Sequence, residues 1–221
     1  MEDNGEVQGH KGQEVRERRC PGLSTGSRSL DEVLGLGIPS LVILRGAHGS
    51  GKSAVLRAAV SSYATSCGRA ALLSVGRWER PEYFSGLPEG ALDRILLMRL
   101  ADEESLTSTS RAVLSIDLGM VALDSASDLS GILRSAAPQV LLALSLSRAV
   151  HARRSQVLVS IHEGPSGPIG YDSWWPYADL EVSLEVIGGD LRRASSARGE
   201  AVFRLRDGYV EGAESANATD K

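Results

Sequence analysis

One loop constrains this chain more than any other feature: Gly46-Ala47-His48-Gly49-Ser50-Gly51-Lys52-Ser53. It satisfies G-x-x-x-x-G-K-[ST] and stands between an apolar run, Leu41-Val42-Ile43-Leu44, and a stretch over 53–66 in which Val55, Leu56, Ala59, Val60 and Tyr63 recur at helical spacing. A strand that feeds a glycine-rich turn into a helix aims successive backbone N–H groups at one centre, where the helix dipole also favours negative charge. That arrangement binds phosphate. Lys52 would reach the β- and γ-phosphates of a nucleoside triphosphate, and the Ser53 hydroxyl would ligate Mg²⁺. The only lysines are Lys11, Lys52 and Lys221. Away from the two ends, therefore, the one lysine stands where a compact ammonium is preferred to a planar guanidinium.

Around the loop the pattern alternates. Apolar runs at 70–75, 95–98, 121–123 and 157–159 read as further strands, with helical stretches at 53–66, stopped by Gly68, at about 103–115, and over 128–152 with an interruption near Pro138. Unbroken apolar strands separated by helices predict an α/β fold, a mainly parallel sheet covered by helices on both faces. After Gly170 the character changes. Leu180 to Val186 and Ala201 to Leu205 alternate polar with apolar, and Gly188-Gly189-Asp190 turns between them, so an antiparallel C-terminal edge is expected. Met120-Val121-Ala122-Leu123-Asp124 ends a strand in a carboxylate suited to the magnesium shell.

With 221 residues, one core is expected: a domain over 21–210 between polar tails at 1–20 and 211–221. The net charge of −4 is concentrated in those tails, and the near-neutral body offers no global field to attract nucleic acid. Local arginine groups, Arg153-Arg154 and Arg192-Arg193 with Arg198, are the candidate phosphate-binding surfaces. No apolar run approaches the roughly 20 residues of a membrane helix, and the acidic N-terminus lacks an apolar signal region, so a cytoplasmic location is expected. Cys20 and Cys67 have no metal or redox spacing and are expected to be free thiols.

Taken in order, Leu23-Ser24-Thr25-Gly26 with Leu30-Asp31, Leu34-Gly35-Leu36-Gly37-Ile38-Pro39, the phosphate loop, Arg80-Pro81-Glu82, Leu123-Asp124-Ser125-Ala126, Leu191-Arg192-Arg193-Ala194 and the segment Gly199 to Gly208 resemble RecA/RadA-type ATPases. The C-terminal part is most similar to the archaeal RadB-like paralogues of RadA. The resemblance spans about residues 22–210. It implies a RecA-like P-loop ATPase core that binds ATP and Mg²⁺ and acts as an accessory in DNA recombination and repair, with a RadA-type recombinase or another repair protein as partner. Two alternatives stay open: a DNA-stimulated ATPase acting directly on single-stranded DNA, and a KaiC-like nucleotide-switched signalling protein that does not bind DNA.

Departures from the family pattern qualify the chemistry. In the recombinases a glutamate after the second strand activates the attacking water; anchoring on Arg80-Pro81-Glu82 puts Gly76 at its position, with Glu79 as the remaining candidate acid. ATP binding with weak or absent hydrolysis follows. The fifth strand ends in Ser160-Ile161-His162 where the family presents a polar pair that senses the γ-phosphate, which leaves His162 as the candidate phosphate contact. The segment Glu163 to Gly170, at the place of the family's DNA-binding loop, contains no Arg or Lys, and weak DNA binding is expected. Trp174-Trp175 is read as core or interface. Neither phenylalanine, Phe84 or Phe203, offers the F-x-x-A hook with which the family's filaments assemble.

Overall fold

The computed structural model describes residues 22–212. Ten strands form its sheet: β1 (Leu41–Gly46), β2 (Ala70–Val75), β3 (Ile95–Leu100), β4 (Met120–Asp124), β5 (Gln156–Gly164), β6 (Gly167–Pro168), β7 (Leu180–Gly188), β8 (Leu191–Ser196), β9 (Gly199–Arg206) and β10 (Tyr209–Gly212). The order is β10-β9-β8-β7-β1-β5-β4-β2-β3, with the short β6 folded back on β5. From β7 to β3 every neighbour is parallel, and β7 through β10 pair antiparallel as a meander. This is the α/β arrangement expected, with its antiparallel C-terminal edge.

Period-two alternation sorts β1 between two cores. Val42 and Leu44 point to the face covered by α1 (Arg28–Leu34) and α2 (Lys52–Ser66); Leu41 and Ile43 point to the face covered by α3 (Glu103–Ser115) and α4 (Ala137–Arg153). Because both faces are covered, all four side chains are buried, which is why the run is apolar without interruption. The helix α3 begins at a capping box in which Ser105 N donates to Asp102 Oδ1 at 2.8 Å and Asp102 N donates to Ser105 Oγ at 3.0 Å. The end of α2 is closed by Cys67 N and Gly68 N, which both donate to the Tyr63 carbonyl.

The structure differs from expectation at four places. Pro138 opens α4 rather than interrupting a longer helix, since a first turn leaves its N–H groups unbonded and proline lacks one; residues 126–131 ahead of it form a separate 3₁₀ segment. The strand β8 was not legible because only Ala194 in Leu-Arg-Arg-Ala-Ser-Ser is buried, and β10 extends the sheet through Gly212. Of the tryptophan pair, read as core or interface, Trp174 is fully buried, and Trp175 is exposed and stacks on Tyr171 with ring centroids 5.6 Å apart. Cys67 is disulfide-bonded, not free. The chain at Gly22 runs beside the end of α2, where Ser66 Oγ donates to the Gly22 carbonyl, a proximity that cysteine spacing does not reveal; Cys20 itself lies outside the described residues.

Candidate phosphate-binding site

The loop between β1 and α2 lies at the carboxyl ends of the parallel strands, where the ends of β4 and β5 converge with it. Its glycines are there for lack of a side chain. A Cβ on Gly46 would strike the carbonyl of Leu184 and come within 2.7 Å of Ser50 Oγ, and one on Gly51 (φ +99°) would come within 2.6 Å of Leu205 Cδ1. Gly51 caps α2 in the left-handed region and so delivers Lys52 and Ser53 as the helix's first residues. A cavity of about 310 Å³ opens over the loop, lined among others by His48, Gly49, Gly51, Lys52, Ser53, Asp124 and His162. Ala47 and Ser50 complete the loop, with Ser50 N donating to the Ala47 carbonyl.

Lys52 is turned onto the loop itself. Its Nζ donates to the Gly46 carbonyl at 2.6 Å, the Ala47 carbonyl at 2.8 Å and Ser50 Oγ at 3.3 Å. Burial lowers its ammonium pKa, while the carboxylates of Asp124 and Glu163 work in the opposite direction and favour the charged form. Asp124, at the end of β4, is buried. Its Oδ1 accepts from Ser160 Oγ on β5 at 2.8 Å and its Oδ2 from Arg77 Nη2 at 3.0 Å. The Asp124–Ser125 peptide is cis.

Ser160 and Arg77 are site residues that sequence reasoning missed. Ser160 sits one strand over from Asp124 and gave no signal, since a serine in a buried strand is ambiguous until its neighbour is known. Arg77 reaches the site because Gly76, at φ +72°, turns the chain as it leaves β2, and Ser74 lies directly beside Asp124 in the register. Gly76 itself carries no side chain, and a Cβ there would meet nothing within 4 Å. Glu79 is not among the residues lining the cavity; its carboxylate accepts from Arg57 Nη1 at 3.3 Å, and both side chains are largely buried. Arg57 also lies over the Tyr83 ring, 4.1 Å from its centroid. It lines both the cavity over the loop and an adjoining cavity of about 430 Å³ bordered by Tyr83, Ser61 and Ser62.

His162, at the mouth of the site on β5, lies against His48 of the loop, the ring centroids 3.6 Å apart and the planes tilted by 31°. Its backbone N–H donates to Ser127 Oγ, and its Nδ1 is buried with no hydrogen-bond partner among the described residues. Burial first, then the neighbouring charges of His48 and Lys52, push its pKa below the ordinary 6.5; Asp128 and a hydrogen bond to Gly46 oppose the shift. The folded state thus favours the neutral ring, and the unfolded chain takes up the proton first as pH falls. The stability this contributes is complete above pH 6.5 and is lost through the window just below it. Thermal melts across that window should show a smaller pH slope for His162→Gln than for the unsubstituted chain; equal slopes would contradict the assignment.

The arginines do not form one surface. Arg153 donates to the Leu114 and Ile116 carbonyls, which fastens the end of α4 to the end of α3, and Arg154, exposed in a left-handed turn, lies at the opposite end of the sheet from the loop. Arg192 is occupied near the loop: its Nε donates to the Gly49 carbonyl at 3.1 Å and its Nη1 to the Gly189 and Leu191 carbonyls at 2.9 Å. Arg193 and Arg198 are exposed on the β8–β9 hairpin, with the guanidinium of Arg198 beside Gly35. Among the described residues, no group of three or more His, Cys, Asp or Glu side chains forms a metal-binding cluster, and no helix is long and apolar enough to cross a membrane.

No protein-family model matches the chain, and no curated protein matches it in sequence. Among solved structures it is similar to the crystal structure of the RadB recombinase, with a TM-score of 0.67 and 21% identity over 87% of this chain and 100% of that one. The parallel order β7-β1-β5-β4-β2-β3, the antiparallel C-terminal meander and the glycine-rich loop at the strand ends together make this a RecA/RadA-type fold of the RadB-like kind.

Proposed function

We propose that the protein is an ATP-binding accessory of the RecA/RadA type in DNA recombination and repair, with weak or absent ATP hydrolysis. The observation that carries this is the loop: Gly46 at a position that backbone closes to a Cβ and Gly51 at one that Leu205 crowds, one buried ammonium at the rim, and a carboxylate at the end of β4 across from it. A triphosphate fits that cradle. Lys52 would exchange the Gly46 and Ala47 carbonyls for phosphate oxygens, the loop amides would hold the β-phosphate, and His162 would stand near the terminal phosphate. Ser53 and Asp124 supply hard oxygen donors of the kind Mg²⁺ takes, and they would hold the ion that the fold ordinarily binds with ATP. That ion's chemistry is neutralisation of charge between the phosphates. The cavity bordered by Arg57 and Tyr83 adjoins the phosphate site and has room for the nucleoside.

Slow turnover is supported by Gly76 at the position that the resemblance gives to the water-activating glutamate, and by the Arg57 partner of Glu79. A supporting rather than strand-exchanging role is supported by the basic surface. Of the five candidate arginines, Arg153 and Arg192 are bonded to backbone carbonyls, and Arg154, Arg193 and Arg198 remain exposed. Phosphate contacts set the salt dependence of DNA binding, with a slope of about −0.7 per contact on single strands. A salt titration of single-stranded DNA binding should therefore give a shallow slope of about −2. A slope steeper than about −4 would favour a protein that engages DNA directly. The proposed partner, a RadA-type recombinase, would then supply the main DNA contact, a point that co-purification with such a recombinase would check.

A further inference from the structure

We infer that Arg77 acts as a built-in counter-cation of the nucleotide site, so that ATP binds with nearly the same affinity whether or not a divalent metal is present. The inference rests on the ATP-binding reading above and goes beyond it in naming what neutralises the phosphates.

Asp124 is the carboxylate placed to hold a metal through water, yet its two oxygens are already engaged, Oδ1 by Ser160 and Oδ2 by Arg77. An arginine fixed 3.0 Å from that oxygen offsets the negative charge that would draw the ion in. A divalent cation brought to the same oxygen must either displace the guanidinium or sit beside it against repulsion between like charges. The triphosphate brings its own negative charge, and the cavity meets it with three permanent or near-permanent cations, Lys52, Arg57 and Arg77. Arg57 is committed to Glu79, so Lys52 and Arg77 are left to face the phosphates.

Arg77 can make the exchange. Its side chain is 64% exposed and the Asp124 side chain 4%, so the guanidinium stands at the cavity mouth over a carboxylate on the floor. It follows the left-handed turn at Gly76, and among the described residues its side chain bonds only to Asp124. Turning from Asp124 Oδ2 to a terminal phosphate oxygen trades one charge-assisted pair for another, and Asp124 keeps its bond from Ser160. A guanidinium also offers two parallel donors in a rigid fork that matches phosphate.

The test measures ATP binding to the full chain by calorimetry in excess Mg²⁺ and again in EDTA, for the unsubstituted protein, Arg77→Ala and Arg77→Lys. The unsubstituted protein is expected to give dissociation constants within about threefold of each other in the two buffers. Loss of one charge-assisted contact weakens binding about ten- to hundredfold, so Arg77→Ala should show that loss in EDTA and recover most of it in Mg²⁺. Arg77→Lys should fall between the two. The proposal is overturned if the unsubstituted protein binds well in Mg²⁺ but loses more than about tenfold in EDTA, a result that leaves the ATP-binding reading intact. It is also overturned if Arg77→Ala is as indifferent to the metal as the unsubstituted protein. Absence of binding in both buffers would overturn the ATP-binding reading and this inference together.

Discussion

Lys52→Ala is expected to abolish the thermal stabilisation that ATP confers. A ligand that binds only the folded state stabilises it by mass action, about 2.7 kcal/mol at a concentration a hundredfold above its dissociation constant. In a domain of this size each kcal/mol raises Tm by about 2–4 °C, so saturating ATP should raise the Tm of the unsubstituted chain by about 5–10 °C. Lys52 is the single lysine among the described residues, and its ammonium spans the Gly46 and Ala47 carbonyls where the phosphates would lie. Without it the loop keeps its amides and loses its charge. The basal Tm should move little, since an alanine also relieves the cost of holding an ammonium that burial disfavours. The informative quantity is the difference between melts with and without ATP, and an undiminished shift in Lys52→Ala would remove the site assignment.

Turnover is the second large effect. A positioned general base is worth about 10²–10⁴ in rate, and the chain carries no side chain at Gly76 from which to supply one. The acids lining the cavity are Asp124, held by Ser160 and Arg77, and Asp128. ATP hydrolysis should accordingly be slower by about 10²–10⁴ than in a site with the glutamate, and single-stranded DNA should not accelerate it. Glu79→Ala should leave the residual rate unchanged while lowering stability by about 1–3 kcal/mol, because Arg57 loses a partner in a largely buried pair. A rate that rises strongly with single-stranded DNA and collapses in Glu79→Ala would contradict this, and would point to a directly acting ATPase.

The parts of the fold that were readable in the sequence are those where burial on both faces leaves no ambiguity. Val42 to Leu44, Ala71 to Leu73 and Val121 to Leu123 are apolar at every position because the sheet is covered twice, and such runs flank helices of evident period. β8 escaped notice for the converse reason: near the sheet's edge its arginines and serines face outward, and only its pairing with β7 and β9 makes it a strand. Pro138 was misplaced because proline signals a break in a helix and the start of one equally well, and only the preceding 3₁₀ segment distinguishes them.

The loop residues were legible because phosphate binding needs a fixed spacing along the chain, so the whole device is local. The groups around it come from other strands. Ser160 meets Asp124 across β4 and β5, His162 meets His48 across β5 and the loop, and Arg77 meets Asp124 only because Gly76 turns the chain towards β4. Glu79 looked available as an acid in the sequence because its partner, Arg57, lies 22 residues earlier on a different element. Contacts of this kind depend on strand order, and strand order is set by the whole sheet.

The loop from Gly46 to Ser53 is proposed to grip a triphosphate, and isothermal calorimetry of the full chain titrated with ATP in magnesium buffer is the decisive measurement. The expected result is a saturable heat of association with one site per chain that disappears in Lys52→Ala; a titration of the well-folded protein that releases or absorbs no heat above dilution, at any temperature tried, would contradict it.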